Sequence, residues 1–318
     1  MKPLRVAAIW PDYDRPGKIY WYLHYSLHGA LDRLPGCELM PVHMHAVQAS
    51  RRALAGADII LLPQWRRWLR KLARLEEPAL LRWIKDLGRP TAMLDDDGCL
   101  LPMAAPVYRD VGYVFCRGEQ LDGMWPPDKG AWLPWCVDTN RFTPNYCGRG
   151  AVMIGGFNLK VHPLRCRLRR RVRRDPSIWC GQLEGQAYIQ ALQGAMAAVA
   201  TNREGLSNVA RAKCLEIAAC GTLLVCDRGD WLERYYPLEL IHLFHSERDF
   251  GRVLRRALAD PCAARLRQQE LRGITEARHS ATRQAGLVLE ALQHIAARGS
   301  PPKDLLYRLQ HPLERLSR

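Results

Sequence analysis

The sequence has no apolar run approaching the roughly 20 residues that a helix needs to cross a bilayer, so a membrane-spanning helix is not expected. The first residues pass from Met1-Lys2-Pro3-Leu4-Arg5 straight into Val6-Ala7-Ala8-Ile9-Trp10. No long apolar core precedes a small-residue cleavage site, and no secretion signal is expected. Eleven cysteines are scattered from Cys37 to Cys262 without a CxxC pair or a His-rich spacing. An odd, unpatterned set reads as reduced thiols in a cytoplasmic protein, most of them small apolar core residues, rather than a disulfide framework or a zinc site. Internal repeats and low-complexity segments are also missing, which excludes a solenoid or a disordered chain. Lysine is scarce, with eight among the 47 basic residues.

What is present is a chain of 318 residues, 48% hydrophobic, which is enough for two cores or one large one. The formal net charge is +15 and the pI about 9.6, a balance that implies an anionic partner. Most of that charge is arginine, whose planar fork suits bidentate contact with phosphate. Seven arginines crowd one segment, Arg165-Cys166-Arg167-Leu168-Arg169-Arg170-Arg171-Val172-Arg173-Arg174. Their mutual repulsion would be relieved by a polyanion, although a solvated outer helix has the same look.

Apolar runs and helical periodicities alternate along the chain. Strands are expected at residues 4 to 10, 37 to 42, 57 to 62, 91 to 94, 113 to 116 and 130 to 134, with helices at 19 to 34, 47 to 55 and 78 to 87. After Pro144 the cycle restarts. A strand at 151 to 156 ends in a glycine pair and Pro163 opens the Arg-rich helix. Strands at 178 to 180, 195 to 201 and 222 to 227 then alternate with helices at 186 to 193 and 208 to 219, the last closed by Gly221 in a left-handed cap. Helices at 250 to 260 and 263 to 292 follow, and Gly299-Ser300-Pro301-Pro302 sets off a helical tail. This alternation predicts α/β structure with mostly parallel sheets covered by helices.

Two segments carry a family resemblance. Trp132-Leu133-Pro134-Trp135-Cys136-Val137-Asp138-Thr139-Asn140-Arg141-Phe142-Thr143-Pro144 resembles the interdomain segment of GT-B glycosyltransferases. Arg211-Ala212-Lys213-Cys214-Leu215-Glu216-Ile217-Ala218-Ala219-Cys220-Gly221-Thr222-Leu223-Leu224-Val225 is similar to the nucleotide-sugar helix of the CgeB-like, group 1 branch of these enzymes. The resemblance spans roughly residues 130 to 292. It implies a GT-B fold: two Rossmann-like domains whose parallel sheets face an interdomain cleft. The domains are expected at 1–145 for the acceptor and 146–298 for the nucleotide sugar, with a helical tail at 299–318. It also implies transfer from a nucleotide sugar, UDP-linked, to an acceptor hydroxyl, with no metal or other cofactor required.

The resemblance and the residues agree on Glu216 as the donor's ribose clamp, since a carboxylate on a helix rising from a sheet's carboxyl edge can accept both ribose hydroxyls. Many relatives carry a second glutamate eight positions upstream; here that position is Asn208, and the nearest acid is Glu204. Gly155, Gly156, Lys160, Arg203, Ser207, Asn208 and Lys213 are candidates for the diphosphate, which favours helix N-termini and cationic side chains. In the N-terminal half, Gly17 and Lys18 can approach an acceptor or a phosphate. Asp96, in the run Asp95-Asp96-Asp97, and His24 are candidates for the base or orienting group at the acceptor hydroxyl. Arg169, Arg170, Arg173 and Arg174 are candidates for an anionic acceptor. A hydroxyl-bearing base in DNA is the favoured acceptor; a surface glycan, a lipid-linked sugar or a protein are the alternatives. A nonenzymatic nucleic-acid-binding protein is the rival from another class.

Overall fold

The computed structural model describes residues 2–10, 21–43, 46–63, 83–95, 111–117, 126, 128–201, 212–227 and 232–311. They form two compact units. The first draws on Met1–Asp14, Leu27–Pro134 and Thr282–Pro312; the second draws on Arg15–Ser26 and Trp135–Ala281. The segment Thr282–Pro312, which carries the last helices, groups with the first unit.

The first unit holds a six-stranded parallel sheet of β1 (Leu4–Trp10), β2 (Cys37–His43), β3 (Ile59–Pro63), β4 (Thr91–Asp95), β5 (Tyr113–Cys116) and β6 (Gly130–Trp132), in the order β2-β1-β3-β4-β5-β6. Its central strands are largely apolar because a parallel sheet is covered on both faces: all four residues of β5 are buried. Ala7, Ile9, Ile60, Leu62, Met93 and Val114 share one core with Leu54 of α2 (Arg51–Gly56). At the end of β5, Arg117 is buried and donates to the Pro134 carbonyl at 2.8 Å and to Gln284 Oε1 at 3.3 Å. Helix α1 is described over Trp21–Asp32, and the expected start at residue 19 lies outside the described residues.

The second unit holds a five-stranded parallel sheet of β7 (Ala151–Ile154), β8 (Ile178–Gly181), β9 (Ala197–Ala200), β10 (Leu223–Asp227) and β11 (His242–Phe244), in the order β11-β10-β9-β7-β8. Its helices are α3 (Pro163–Val172), α4 (Gly185–Gln193), α5 (Ala212–Ala219), α6 (Glu247–Ala259) and α7 (Pro261–His279). Met153 and Val199 meet Leu168 and Val172 of α3 and Phe250 and Leu254 of α6 in one core. Strand alternation turns Val152 and Ile154 to the opposite face. Helix α5 ends as expected: Gly221 has φ +66°, its N–H bonds the Ala218 carbonyl, and the Thr222 N–H bonds that of Ile217, which satisfies carbonyls the helix leaves open.

One expectation is corrected. The single helix expected over 263 to 292 is α7 followed by α8 (Ala281–Arg298), broken at Ser280. Ser280 is extended (φ −67°, ψ 142°) and bridges Val137, whose N–H bonds the His279 carbonyl at 2.9 Å while its carbonyl accepts from Ala281 N at 2.8 Å. A tertiary strand pairing thus replaces one turn of helix, and periodicity carries no trace of it. The Arg-rich helix stops at Val172, with Arg173 as its C-cap, because the apolar face it buries ends there. After α8 the chain closes with α9 (Lys303–Gln310).

Candidate functional site

The carboxyl end of β7 is where charge gathers in the second unit. β7 stops at Ile154, and Gly155 follows with φ +144°, a backbone state that side chains rarely adopt. A Cβ at this position would overlap the Arg165 guanidinium and come within 3.2 Å of Lys213 Nζ. The missing side chain is what lets two cations converge on one stretch of backbone.

Each cation is held by its own helix. Arg165 lies in the first turn of α3, behind Pro163, and is 5% exposed. Its Nε donates to Thr201 Oγ1 at 3.1 Å and its Nη1 to the Gly156 carbonyl at 3.1 Å. Lys213 lies on α5, and its Nζ donates to the Ile154 carbonyl at 2.6 Å. One guanidinium beside the first turn of α3 and one ammonium on α5, at the carboxyl edge of a parallel sheet, are groups chemically suited to a polyvalent anion.

One turn beyond Lys213 stands Glu216, 2% exposed. Tyr188 of α4, itself fully buried, donates its hydroxyl to Glu216 Oε2 at 2.6 Å. Burial pushes the Glu216 carboxyl above the usual carboxylate range, and the Tyr188 hydrogen bond, Lys213 and Arg141 pull it back. Burial and the neighbouring carboxylate raise the Tyr188 phenol well above its ordinary value, so it stays a hydrogen-bond donor. The arrangement places a hydrogen-bond acceptor next to the pair of cations.

The structure thus brings Gly155, Gly156, Lys213 and Glu216 together. Lys160 is instead exposed, in a turn where its backbone N–H bonds Asn158 Oδ1 at 2.9 Å. Arg203, Ser207, Asn208, Gly17, Lys18 and Asp96 lie outside the described residues. His24 is on α1. Arg169, Arg170, Arg173 and Arg174 are all exposed, and the Arg169 guanidinium covers the Phe157 ring at 4.5 Å. Arg165 and Tyr188 escaped the sequence reading. For Arg165 a signal existed: it shares the i, i+3, i+7 face of Leu168 and Val172, the face the helix buries. Among the described residues no three His, Cys, Asp or Glu side chains gather as metal ligands, and no helix is long and apolar enough to cross a membrane.

Comparison with known proteins bears on the fold and on the second unit's sequence. Residues 162–290 match the model of a family described as glycosyl transferase-like. Sucrose-phosphate synthase from Thermosynechococcus elongatus superposes with a TM-score of 0.63 at 12% identity, covering 92% of this chain and 99% of its own. Anabaena HepE in complex with UDP and glucose gives a TM-score of 0.65 at 10% identity over 91% and 99% of the two chains. An alpha-glucosyltransferase in complex with UDP-glucose and DNA containing an abasic site gives 0.61 at 10% identity over 90% and 99%. No curated protein matches by sequence. The two parallel sheets have the GT-B fold, and within the second unit residues 162–290 match a glycosyl transferase-like family.

Proposed function

We propose that the second unit binds a UDP-linked sugar and that the protein transfers this sugar to an acceptor hydroxyl. The observation that carries the reading is the convergence of Arg165 and Lys213 on Gly155, one helical turn from the buried Glu216. In it the diphosphate meets the two cations, and the Glu216 carboxylate accepts the ribose hydroxyls. Cationic neutralisation of the diphosphate stabilises the leaving group as the glycosidic bond breaks. UDP-glucose and UDP are the ligands of HepE and of the alpha-glucosyltransferase, which supports the choice of nucleotide. The test is incubation with a panel of nucleotide sugars and hydroxyl-bearing acceptors, read by mass spectrometry. Nucleotide release with a matching gain of one hexose mass on an acceptor is expected; binding of DNA without turnover of any nucleotide sugar would favour a nonenzymatic binding protein.

For the acceptor we propose a hydroxyl-bearing base in DNA, lifted from the stack to reach the donor. The exposed arginines at 169, 170, 173 and 174 and the net charge of +15 support it, as does the DNA bound to the alpha-glucosyltransferase. Affinity for DNA is then expected to fall log-linearly with salt, about one slope unit per phosphate neutralised. Replacing the four arginines by Gln should weaken binding to every sequence about equally and leave UDP-glucose binding intact. Salt-independent or absent DNA binding by the wild type would move the acceptor to a glycan, a lipid-linked sugar or a protein.

Asp96 or His24 is proposed as the base or orienting group for the acceptor hydroxyl. Asp96→Asn and His24→Ala should each lower turnover more than donor affinity. Full activity in both variants would remove the assignment.

A further inference from the structure

Beyond the cations and the carboxylate, the same sheet edge presents an aromatic surface. Trp179 on β8, the edge strand, is 45% exposed. An isolated exposed apolar side chain needs no function by itself, but the position of this one is particular. Trp179 pairs with Val152 and Gly181 with Ile154, so both lie on the face opposite the α3–α6 core, into which Ile178 and Cys180 pack. The indole extends along the strand toward its carboxyl end and lies on Gly181: a Cβ at residue 181 would overlap the six-membered ring. The Gly181 carbonyl accepts the Gly155 N–H at 3.0 Å, joining this platform directly to the backbone on which Arg165 and Lys213 converge. A flat apolar ring beside a receptor for a diphosphate is the arrangement that binds a nucleoside diphosphate, base on ring and phosphates on cations.

We infer that Trp179 is the stacking platform for the donor's nucleobase and that Gly181 is glycine because the indole must lie against its backbone. The inference rests on the donor reading above and adds the residue that holds the base. Base stacking on an aromatic ring is sequence-tolerant, because every base offers a π-face, so Trp179 supplies affinity for the nucleoside without choosing among bases.

The experiment is calorimetric titration of the full chain with UDP, with inorganic pyrophosphate as a competitor. Trp179→Ala should weaken UDP about five- to a hundredfold, while the concentration of pyrophosphate needed to displace UDP, corrected for the altered UDP affinity, stays that of wild type. Trp179→Phe keeps a ring and should recover most of the loss. Gly181→Ala should weaken UDP as well by displacing the indole. Undiminished UDP affinity in Trp179→Ala overturns the inference. So does an equal loss for UDP and pyrophosphate, which would mark a general disturbance of the edge strand, and so does a Phe variant as weak as the Ala variant. A wild-type protein that binds no nucleoside diphosphate at all would instead remove the donor reading, and the platform with it.

Discussion

Lys213→Met is expected to weaken UDP-glucose binding by about ten- to a hundredfold, the cost of one charge-assisted contact to a diphosphate. The ammonium group is anchored on the Ile154 carbonyl at 2.6 Å and lies 5.8 Å from the Tyr188 ring centroid, so its position is set before any ligand arrives. Methionine retains most of the stem's apolar packing and removes the charge. Arg165 alone would then face the diphosphate. Arg165 is the poorer residue to substitute, because its bonds to Thr201 and Gly156 tie α3 to two strand ends and their loss would disturb the fold as well as the site. Unchanged affinity for UDP-glucose in Lys213→Met, measured by calorimetry, would take the lysine out of the donor site.

Glu216→Gln is expected to separate affinity from stability. Donor affinity should fall about tenfold or more, because an amide oxygen is a weaker acceptor for ribose hydroxyls than a carboxylate. Folding stability should move the other way. Burial holds the Glu216 pKa above its unfolded value, so the folded chain retains this proton more tightly than the unfolded chain. Wild-type stability therefore falls as pH rises through the window between the unfolded and folded values, whereas glutamine has no such window. The Tm difference, variant minus wild type, should grow in the variant's favour from acidic to neutral pH. A carboxylate kept in a buried position at a cost to stability is consistent with a functional role for Glu216. A variant less stable than wild type at neutral pH, with donor affinity unchanged, would make Glu216 a structural partner of Tyr188 and nothing more.

The sheets were legible because their strands are short apolar runs between turn formers. The fully buried Tyr113–Cys116 and Ala197–Ala200 can be little else in an alternating α/β chain. Gly221 was legible for a local reason too, since a left-handed cap needs glycine where helix meets strand. The break at Ser280 was not, because it is made by Val137, far away in the chain, and helical periodicity runs through it undisturbed. On the site, Lys213 and Glu216 stand three residues apart on one short helix, a spacing visible in the sequence. Arg165 hid among six other arginines: composition marks the whole run as a solvated face, and only its phase with Leu168 and Val172 sets it apart. Tyr188 and Trp179 were invisible as site residues. The hydroxyl of one meets Glu216 across 28 residues of chain, and the ring of the other gains meaning from the backbone hydrogen bond between Gly155 and Gly181.

The central claim is that the carboxyl edge of the second sheet is a nucleotide-sugar site, and the most direct measurement is calorimetric titration of the full chain with UDP-glucose. Saturable binding of one ligand per chain is predicted, weakened in Lys213→Met and Glu216→Gln and unaffected by the four Arg→Gln substitutions at 169, 170, 173 and 174. A folded wild-type protein that binds neither UDP-glucose nor any other nucleotide sugar, or that binds them undiminished in both site variants, would contradict it.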